Sequence, residues 1–363
     1  MRVKEVWQGN EALSEAAVRS GCIFFGGYPI TPQTSITEYL SWRLPEVGGH
    51  FVQANSETSA ISMIIGASIA GARCMTATSG PGLSLMQEGL SAISAGRYPA
   101  VLVNVNRAGA GTADITASQS DYALLTTSLG HGGLHGFVLA PCSVQESVNF
   151  MCEAFDIAEK YRCMVIILID AVIGQMMEGI YMPPFRESVP SIDKPWVPSG
   201  ADGKPPRIAA DRCFRRDTND ISEIPMLLEQ EFFDLEKLYR EWEKTETRCE
   251  SYLMEDAQYA VVAWGSAARI ARTGIDLLRR EGIRVGLLRP ITLFPFPRGD
   301  VEAISPDLIK GLLTVEMAAP GQLVEDVRKY ADRSLRLEEY KRAGGQLVTV
   351  DGVINAVKLL AKG

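Results

Sequence analysis

Residues 22–32 read CIFFGGYPITP, and residues 50–61 read HFVQANSETSAI. In each stretch a short run with strand character passes through a turn directly into a helical pattern. The same alternation continues to about residue 180, and strands that alternate with helices of this length are typical of parallel β-α-β units. The predicted strands are 22–25, 50–53, 74–77, 100–105, 137–140 and 163–169, and the predicted helices lie at about 10–20, 34–43, 57–71, 83–95 and 143–160. A doubly wound, mainly parallel α/β sheet is therefore predicted over residues 1–180.

A proline-rich stretch ends this pattern. Residues 181–225 hold eight of the chain's nineteen prolines, and proline fixes φ and removes a backbone donor. This stretch is predicted to be a linker that leads into an acidic helix at about 226–250, so that the two together span 181–256. The apolar residues of the helix recur every three or four positions, which predicts one buried stripe. They are Leu228, Phe232, Leu235, Leu238 and Trp242.

A second, smaller α/β domain is predicted over residues 257–363. Gly282 follows a helical pattern directly, which is typical of a helix C-terminus. The predicted strands are 259–264, 284–288, 312–316 and 346–350, and the predicted helices are 267–281 and 321–333.

Composition narrows the class of protein. A chain of 363 residues suits two domains. Its 36 Lys and Arg against 44 Asp and Glu give a net charge of −8, which disfavours a nucleic acid as the main partner. The N-terminal segment lacks the apolar core of a signal peptide, so a cytoplasmic location is expected. The seven cysteines include no CxxC pair, so neither an iron–sulfur cluster nor a metal site is predicted on this chain.

The turn at 26–32 is the first candidate for a functional site. It follows a predicted strand and precedes a predicted helix, which is where α/β sheets bind ligands. Two glycines and two prolines restrict its backbone, so the side chain of Thr31 would project at a defined angle. Thr31 could equally serve only to cap the helix that follows.

Glu57 is the second candidate. It opens a predicted helix, where the helix dipole favours an acidic side chain. The next acidic residue is Glu88, and Arg73 is the only Asp, Glu, Lys or Arg between them. A lone carboxylate at the start of such an apolar helix is expected to be partly desolvated, and it could share a proton with a ligand nitrogen.

Arg107 is the third candidate. It stands at the end of a predicted strand, beside the glycine-rich segment 108–112, and no other Lys or Arg occurs between Arg97 and Lys160. A guanidinium at the carboxyl end of a strand can offer two parallel N–H groups to a carboxylate. The alternative is an ordinary surface arginine.

Seven blocks of sequence resemble one family along nearly the whole chain. They resemble the α subunit of 2-oxoacid:ferredoxin oxidoreductases, and the branched-chain (2-oxoisovalerate, or 3-methyl-2-oxobutanoate) subfamily most of all. The blocks are GNEALSEAAVRSGCIFFGGYPITPQ, FVQANSETSAISMIIGASIAGAR, TATSGPGLSLMQEGLS, ASQSDY, LAPCSVQE, DAVIGQMME and VGLLRPITLFPFP.

The resemblance implies a thiamine-diphosphate-dependent enzyme that oxidatively decarboxylates a 2-oxoacid, makes an acyl-CoA and passes electrons to ferredoxin. It also implies a pyrimidine-binding domain over 1–180 and a transketolase C-terminal-like domain over 257–363. Glu57 falls on the family's glutamate that hydrogen-bonds the aminopyrimidine ring, with Pro29 and Ile30 beside the cofactor. Thr31 and Arg107 fall on positions that line the substrate pocket. Because the cofactor would supply its own base, this chemistry suits a chain with three histidines.

The resemblance further implies that the chain is incomplete on its own. It has no GDG motif for diphosphate and Mg²⁺ and no cluster cysteines. Mg²⁺ and the iron–sulfur clusters are therefore expected on partners: a thiamine-diphosphate-binding β subunit, a γ subunit and an iron–sulfur subunit. Two alternatives stay open, a non-catalytic assembly subunit of such a complex and a subunit of another thiamine enzyme of the transketolase type.

Overall fold

The computed structural model describes residues 3–109, 111–112, 114–186, 194, 197 and 221–362. In chain order the strands are β1 (Glu5–Gln8), β2 (Phe24–Gly27), β3 (His50–Gln53), β4 (Cys74–Thr78), β5 (Ala100–Asn106), β6 (Phe137–Leu139), β7 (Met164–Asp170), β8 (Met177–Ile180), β9 (Cys249–Tyr252), β10 (Tyr259–Ala263), β11 (Val285–Pro290), β12 (Thr292–Phe294), β13 (Gly311–Glu316) and β14 (Arg336–Lys341). The helices are α1 (Gly9–Arg19), α2 (Thr34–Glu46), α3 (Glu57–Ile69), α4 (Pro81–Gly96), α5 (Tyr122–Thr126), α6 (Val144–Tyr161), α7 (Ala171–Gln175), α8 (Ile224–Thr245), α9 (Gly265–Arg280), α10 (Arg298–Glu302), α11 (Leu323–Tyr330) and α12 (Val350–Ala361).

The larger sheet has seven strands in the order β12-β6-β7-β5-β4-β2-β3. Six of them run parallel, and β12 pairs antiparallel with β6. Helices α1, α2 and α6 contribute to the core on one face of the sheet, and α3, α4 and α5 contribute to the core on the other. The predicted doubly wound α/β fold is confirmed, because all six predicted strands appear in β2 to β7 with their limits moved by two residues or fewer.

Two features of the first half are absent from the sequence-based prediction. Strands β1 and β8 form a separate antiparallel ribbon. Strand β12 comes from the second half of the chain but completes the edge of the larger sheet. Both involve strands that lie outside the β-α-β alternation, and these strands form because a partner that is distant in sequence is in place.

The smaller sheet has the order β14-β13-β10-β11-β9, with β9 antiparallel. The strand predicted at 346–350 is wrong. Residues 346–349 have no regular secondary structure, and the hydroxyl of Thr349 accepts from the Gly352 N–H at 3.0 Å to cap α12. The edge strand is β14 instead. Its sequence, RLEEYK, is mostly polar, so it shows no alternation of apolar and polar residues from which a strand could be predicted.

Helix α8 is confirmed, but its buried stripe is shorter than predicted. Leu235 and Trp242 are buried in the larger core, where Trp242 packs edge-on against Phe137 and Tyr161. Phe232, one helical turn earlier, is 47% exposed. Only the C-terminal half of the helix therefore packs on the domain. Most of the predicted proline-rich linker lies outside the described residues.

The parallel strands place the candidate residues together. The carboxyl ends of β2, β3, β4 and β5 lie at one edge of the larger sheet, because these strands are parallel neighbours. The turns and helix starts that follow them carry Thr31, Glu57, Gly80 and Arg107. No described helix has both the length and the apolar character that a membrane span requires.

Candidate active site

Glu57 occupies the first turn of α3. Ser56 caps this helix, since its hydroxyl accepts from the Ser59 N–H at 3.2 Å. The Glu57 side chain is buried, at 5% exposure, and makes no hydrogen bond or ion pair with any described residue. A Cβ added to Gly82 would collide with Glu57 Oε1 and Thr78 Oγ1, so the first turn of α4 approaches the carboxylate closely only because residue 82 is glycine. The result is a buried carboxylate that is free to bind a ligand.

Other buried polar atoms near the same sheet edge also lack partners in the described part of the chain. They are Thr78 Oγ1 at the end of β4, Ser79 Oγ beside it and both amide atoms of Asn106 at the end of β5. Buried polar atoms without partners are rare in folded proteins because each one costs its hydration. Their concentration at the ends of two neighbouring strands indicates a site that a polar ligand completes.

Arg107 is buried at the end of β5, with 6% exposure, so the surface-arginine alternative is wrong. Its Nη1 donates to the carbonyl of Thr31 and its Nη2 to the carbonyl of Gly111, both at 2.8 Å. Its Nε is buried and has no partner among the described residues. Two of the five guanidinium N–H groups are thus bonded within the part of the chain that the structure describes, and three have no partner there.

Thr31 is brought to Arg107 through its backbone. Its side chain is exposed, and α2 begins at Thr34 with Gln33 in the capping position, so the helix-capping alternative is wrong. Pro29 and Ile30, in the same turn, are half-buried. The turn therefore presents its carbonyl to the arginine and its threonine hydroxyl to the outside of this chain.

Three polar side chains that sequence reasoning missed hold this turn in place. Asn10 Nδ2 and Gln175 Nε2 donate to the Pro32 carbonyl at 2.9 and 2.7 Å, and Gln33 Nε2 donates to the Tyr28 carbonyl at 2.9 Å. Asn10 and Gln175 come from helices at opposite ends of the first domain's sequence. Their only sequence signal was their place in blocks that resemble the family.

A cleft of about 760 Å³ opens beside Arg107 between the two sheets. The lining residues from the first half of the chain lie at the start of α4 and in the loop after β5. Those from the second half of the chain lie in two loops after β13 and β14. Small and apolar residues dominate. The lining residues are Gly80, Pro81, Ser84, Leu85, Gly109, Gly111, Ser118, Ser120, Asp121, Met317, Ala318, Ala319, Ala343 and Gly344.

Asp121 is the one carboxylate among these lining residues, and sequence reasoning did not single it out. It is 9% exposed, accepts a hydrogen bond from Asn104 Nδ2 at 2.8 Å and lies near the Gly80 N–H. Burial raises its pKa above the usual range, although Asn104, Gly80 and the charge of Arg107 act in the opposite direction. The available signal was weak: Asp114 and Arg107 precede it closely, and only the stretch 122–145 that follows has no Asp, Glu, Lys or Arg.

The segment around Asp121 also joins the two halves of the molecule. Gln119 forms a two-way pair with the backbone of Met317, with both N···O distances 2.9 Å, and its Nε2 donates to the Trp264 carbonyl at 2.9 Å. Gln322 Nε2 in turn donates to the Ser120 carbonyl at 2.9 Å. These bonds fix the position of the second half against the cleft.

Comparison with models of known protein families shows the family to which the chain belongs. The thiamine-diphosphate-binding model of the pyruvate flavodoxin/ferredoxin oxidoreductase family matches residues 15–244, and the core domain II model of pyruvate:ferredoxin oxidoreductase matches residues 257–353. The chain belongs to the pyruvate flavodoxin/ferredoxin oxidoreductase family. Thr31, Glu57 and Arg107 all lie within residues 15–244 of the chain, which match the thiamine-diphosphate-binding model.

Individual relatives agree with this assignment. The chain is 41% identical over 98% of its length to ketoisovalerate oxidoreductase subunit VorB of Methanothermobacter thermautotrophicus, and it covers 97% of that protein. It is 35% identical over 96% of its length to 2-oxoglutarate synthase subunit KorA of the same organism, of which it also covers 97%.

Solved structures agree on the fold. The 2-oxoglutarate:ferredoxin oxidoreductase of Magnetococcus marinus matches with a TM-score of 0.84 and 28% identity over 99% of this chain, which spans 65% of that longer chain. An inactive β4 tetramer of a split-gene transketolase matches with a TM-score of 0.59 at 14% identity, covering 98% of each chain, and this match concerns the fold alone.

The residues present fit thiamine diphosphate. A ring nitrogen of the cofactor requires a buried acid with no competing partner, and Glu57 is such a group. The unpartnered Thr78 Oγ1 and Asn106 amide supply further polar atoms at the ends of the neighbouring strands. Within the described residues, no group of three or more His, Cys, Asp or Glu side chains could hold a metal ion.

Proposed function

We propose that this chain, a subunit of a 2-oxoacid:ferredoxin oxidoreductase, supplies the pyrimidine-binding half of a shared thiamine diphosphate site. The complex would convert a 2-oxoacid and CoA to acyl-CoA and CO2 while reducing a ferredoxin-type acceptor. One observation carries the proposal: the Glu57 carboxylate is buried, has no partner among the described residues and lies at the carboxyl edge of a parallel sheet. A subunit that served assembly alone would have no use for such a group.

Glu57 would hold a proton at the pyrimidine nitrogen of the cofactor. When bound, thiamine diphosphate supplies the nucleophilic carbon and the electron sink that decarboxylation of a 2-oxoacid requires. A carboxyl group kept out of water donates or accepts that proton without competition from solvent. Pro29 and Ile30, half-buried in the adjoining turn, would form the wall against which the ring lies.

Arg107 would bind the substrate carboxylate. Three of its N–H groups have no partner among the described residues, and charge-assisted hydrogen bonds to a carboxylate are stronger than neutral ones. The hydroxyl of Thr31 lies on the exposed side of the same turn, where it would contact the substrate once a partner subunit closes the site.

The cleft beside Arg107 favours an aliphatic 2-oxoacid over a dicarboxylate. Among its described lining residues there is no Lys or Arg, while Leu85, Pro81 and Met317 offer apolar surface. A second carboxylate would therefore meet Asp121 and no cation. The higher identity to the ketoisovalerate relative than to the 2-oxoglutarate relative supports the same preference.

The remaining parts of the reaction belong to partner subunits in this proposal. The chain has no GDG motif, so a β subunit would hold the diphosphate and Mg²⁺. A γ subunit and an iron–sulfur subunit would complete the complex and carry the electrons. Within this chain, the proposal assigns residues 1–180 to a pyrimidine-binding domain, 181–256 to a linker with the acidic helix, and 257–363 to a transketolase C-terminal-like domain.

The test is co-purification of the chain with its native partners, followed by CoA-dependent dye reduction over a panel of 2-oxoacids. We expect thiamine-dependent activity, with branched aliphatic substrates preferred to 2-oxoglutarate. A purified complex with bound thiamine diphosphate that oxidises none of the panel would overturn the proposal. Activity on 2-oxoglutarate alone would overturn only the substrate preference.

A further inference from the structure

Asp121 links the two elements that hold Arg107. Its carboxylate accepts from Asn104 Nδ2 at 2.8 Å and lies near the Gly80 N–H, which favours its charged form. Asn104 lies on β5, three residues before Arg107. Gly80 lies directly against the arginine, because a Cβ placed on it would be 3.5 Å from both Cγ and Nε of Arg107. One carboxylate thus ties the strand that carries the guanidinium to the turn on which the guanidinium rests.

We propose that Asp121 is a positioning residue for the 2-oxoacid: through Asn104 and Gly80 it holds Arg107 so that its free N–H groups point at the substrate carboxylate. This inference rests on the proposed role of Arg107 in substrate binding. It assigns Asp121 no contact with the reacting atoms.

The charges around Asp121 fit an indirect role. No ion pair within 4.0 Å joins Asp121 to Arg107, although both are described and each is less than a tenth exposed. A direct pair would neutralise the guanidinium and use the N–H groups that a carboxylate ligand needs. The hydroxyl of the next residue, Tyr122, donates to Asp326 at 2.7 Å, and Asp326 is not among the residues that line the cleft.

The experiment compares Asp121→Ala and Asp121→Asn in the complete complex. The alanine variant removes the hydrogen bond to Asn104 and the contact with Gly80, and we expect KM for the 2-oxoacid to rise about tenfold while kcat and KM for CoA change less than about threefold. In the asparagine variant the amide oxygen still faces Gly80, and Asn104 can turn its unpartnered Oδ1 toward the new N–H. Its KM should stay within about threefold of the wild-type value. Asp307→Ala, an exposed acid in the second half, is the matched control.

A second measurement does not depend on turnover. The 2-hydroxyacid that corresponds to the preferred substrate carries the same carboxylate but cannot be decarboxylated in the same way. Its Kd, measured by calorimetry, should weaken in Asp121→Ala by the same factor as KM. If that variant does not assemble, Asn104→Ala makes the same comparison, because it removes the Nδ2 donor and leaves the carboxylate in place.

Three results would overturn the inference. One is a fall in kcat with KM unchanged, and another is an asparagine variant as impaired as the alanine variant, since charge and not hydrogen bonding would then matter. The third is a 2-hydroxyacid Kd that the alanine variant leaves unchanged. A wild-type complex that oxidises no 2-oxoacid would instead count against the proposed function.

Discussion

Arg107 Nη1 donates a 2.8 Å hydrogen bond to the carbonyl of Thr31, a residue 76 positions earlier in the chain. This bond ties the end of β5 to the turn after β2, although β4 lies between the two strands in the sheet. The arginine thus joins two loops through its hydrogen bonds, and Gly80, against which it packs, lines the cleft. Predictions for the site follow from this arrangement and from the isolation of Glu57.

Replacing Glu57 by Gln should reduce CoA-dependent 2-oxoacid oxidation by about one to two orders of magnitude, because a hydrogen bond to a charged group contributes about 1.5–3 kcal/mol. The complex should still assemble, since the carboxylate bonds to no described residue. Glu88→Gln is the control, as Glu88 is exposed on α4. Steady-state turnover decides, and a near-normal rate for the Glu57 variant would remove the proposed role.

Replacing Arg107 by Lys should raise KM for the 2-oxoacid by about tenfold or more, because lysine lacks the planar fork that a carboxylate pairs with. It also cannot reproduce the bonds to both Thr31 and Gly111. Arg333→Lys, an exposed site in the second half, should leave KM unchanged. If KM and kcat of the Arg107 variant both match the wild type, the arginine does not bind the substrate.

Gly82→Ala should impair activity and lower the melting temperature, because the added Cβ collides with the Glu57 carboxyl and the Thr78 hydroxyl. Gly66→Ala is the matched substitution on the neighbouring helix α3, where an added Cβ meets nothing within 4 Å. There the change should stabilise the protein by about 0.5–1 kcal/mol, since glycine is a poor helix former. The melting temperature should therefore fall in Gly82→Ala and rise in Gly66→Ala. Only Gly82→Ala should lose turnover.

Arg73→Met should destabilise the chain by about 3–5 kcal/mol, because it leaves Glu159 buried beside a smaller set of partners. The side chains of Arg73 and Glu159 are 2% and 4% exposed, and Arg73 Nε donates to Glu159 at 3.1 Å. Arg186→Met breaks a more exposed pair with Asp156, and should cost about 0–1 kcal/mol. Urea unfolding gives both values. Equal losses would contradict the assigned burial effect.

The burial of His135 should make the folded protein less stable as the pH falls. Burial lowers its pKa from 6.5 to about 4, so between these values the unfolded chain binds a proton that the folded chain does not. The contribution of His135 to stability should therefore decrease as pH falls from about 6.5 and level off below about 4. His135→Phe, which keeps the stack on Phe294, should flatten this decrease. His131→Gln, at a largely exposed site, should not.

Much of the fold could be predicted because it depends on local pattern. Strands β2 to β7 are mostly apolar runs that alternate with longer helical stretches, and turn residues mark their ends. Strand β14, and the exposure of the N-terminal half of α8, could not be predicted from local pattern. Whether a polar strand pairs at an edge, or an apolar Phe232 finds a neighbour, depends on which other elements are adjacent.

For the site, the sequence by itself determined which residues were unusual. Glu57 is the only Asp, Glu, Lys or Arg between Glu46 and Arg73, and Arg107 is the only Lys or Arg between Arg97 and Lys160. The turn at 26–32 combines two glycines with two prolines that restrict its backbone. Only the tertiary structure decided how these residues are used. In the folded chain Arg107 is buried against Gly80 and donates to the Thr31 carbonyl, and Asp121 lies near both Gly80 and Arg107. Burial and hydrogen-bond partners are properties of neighbours in space, and parallel strands bring together residues that are far apart in the chain.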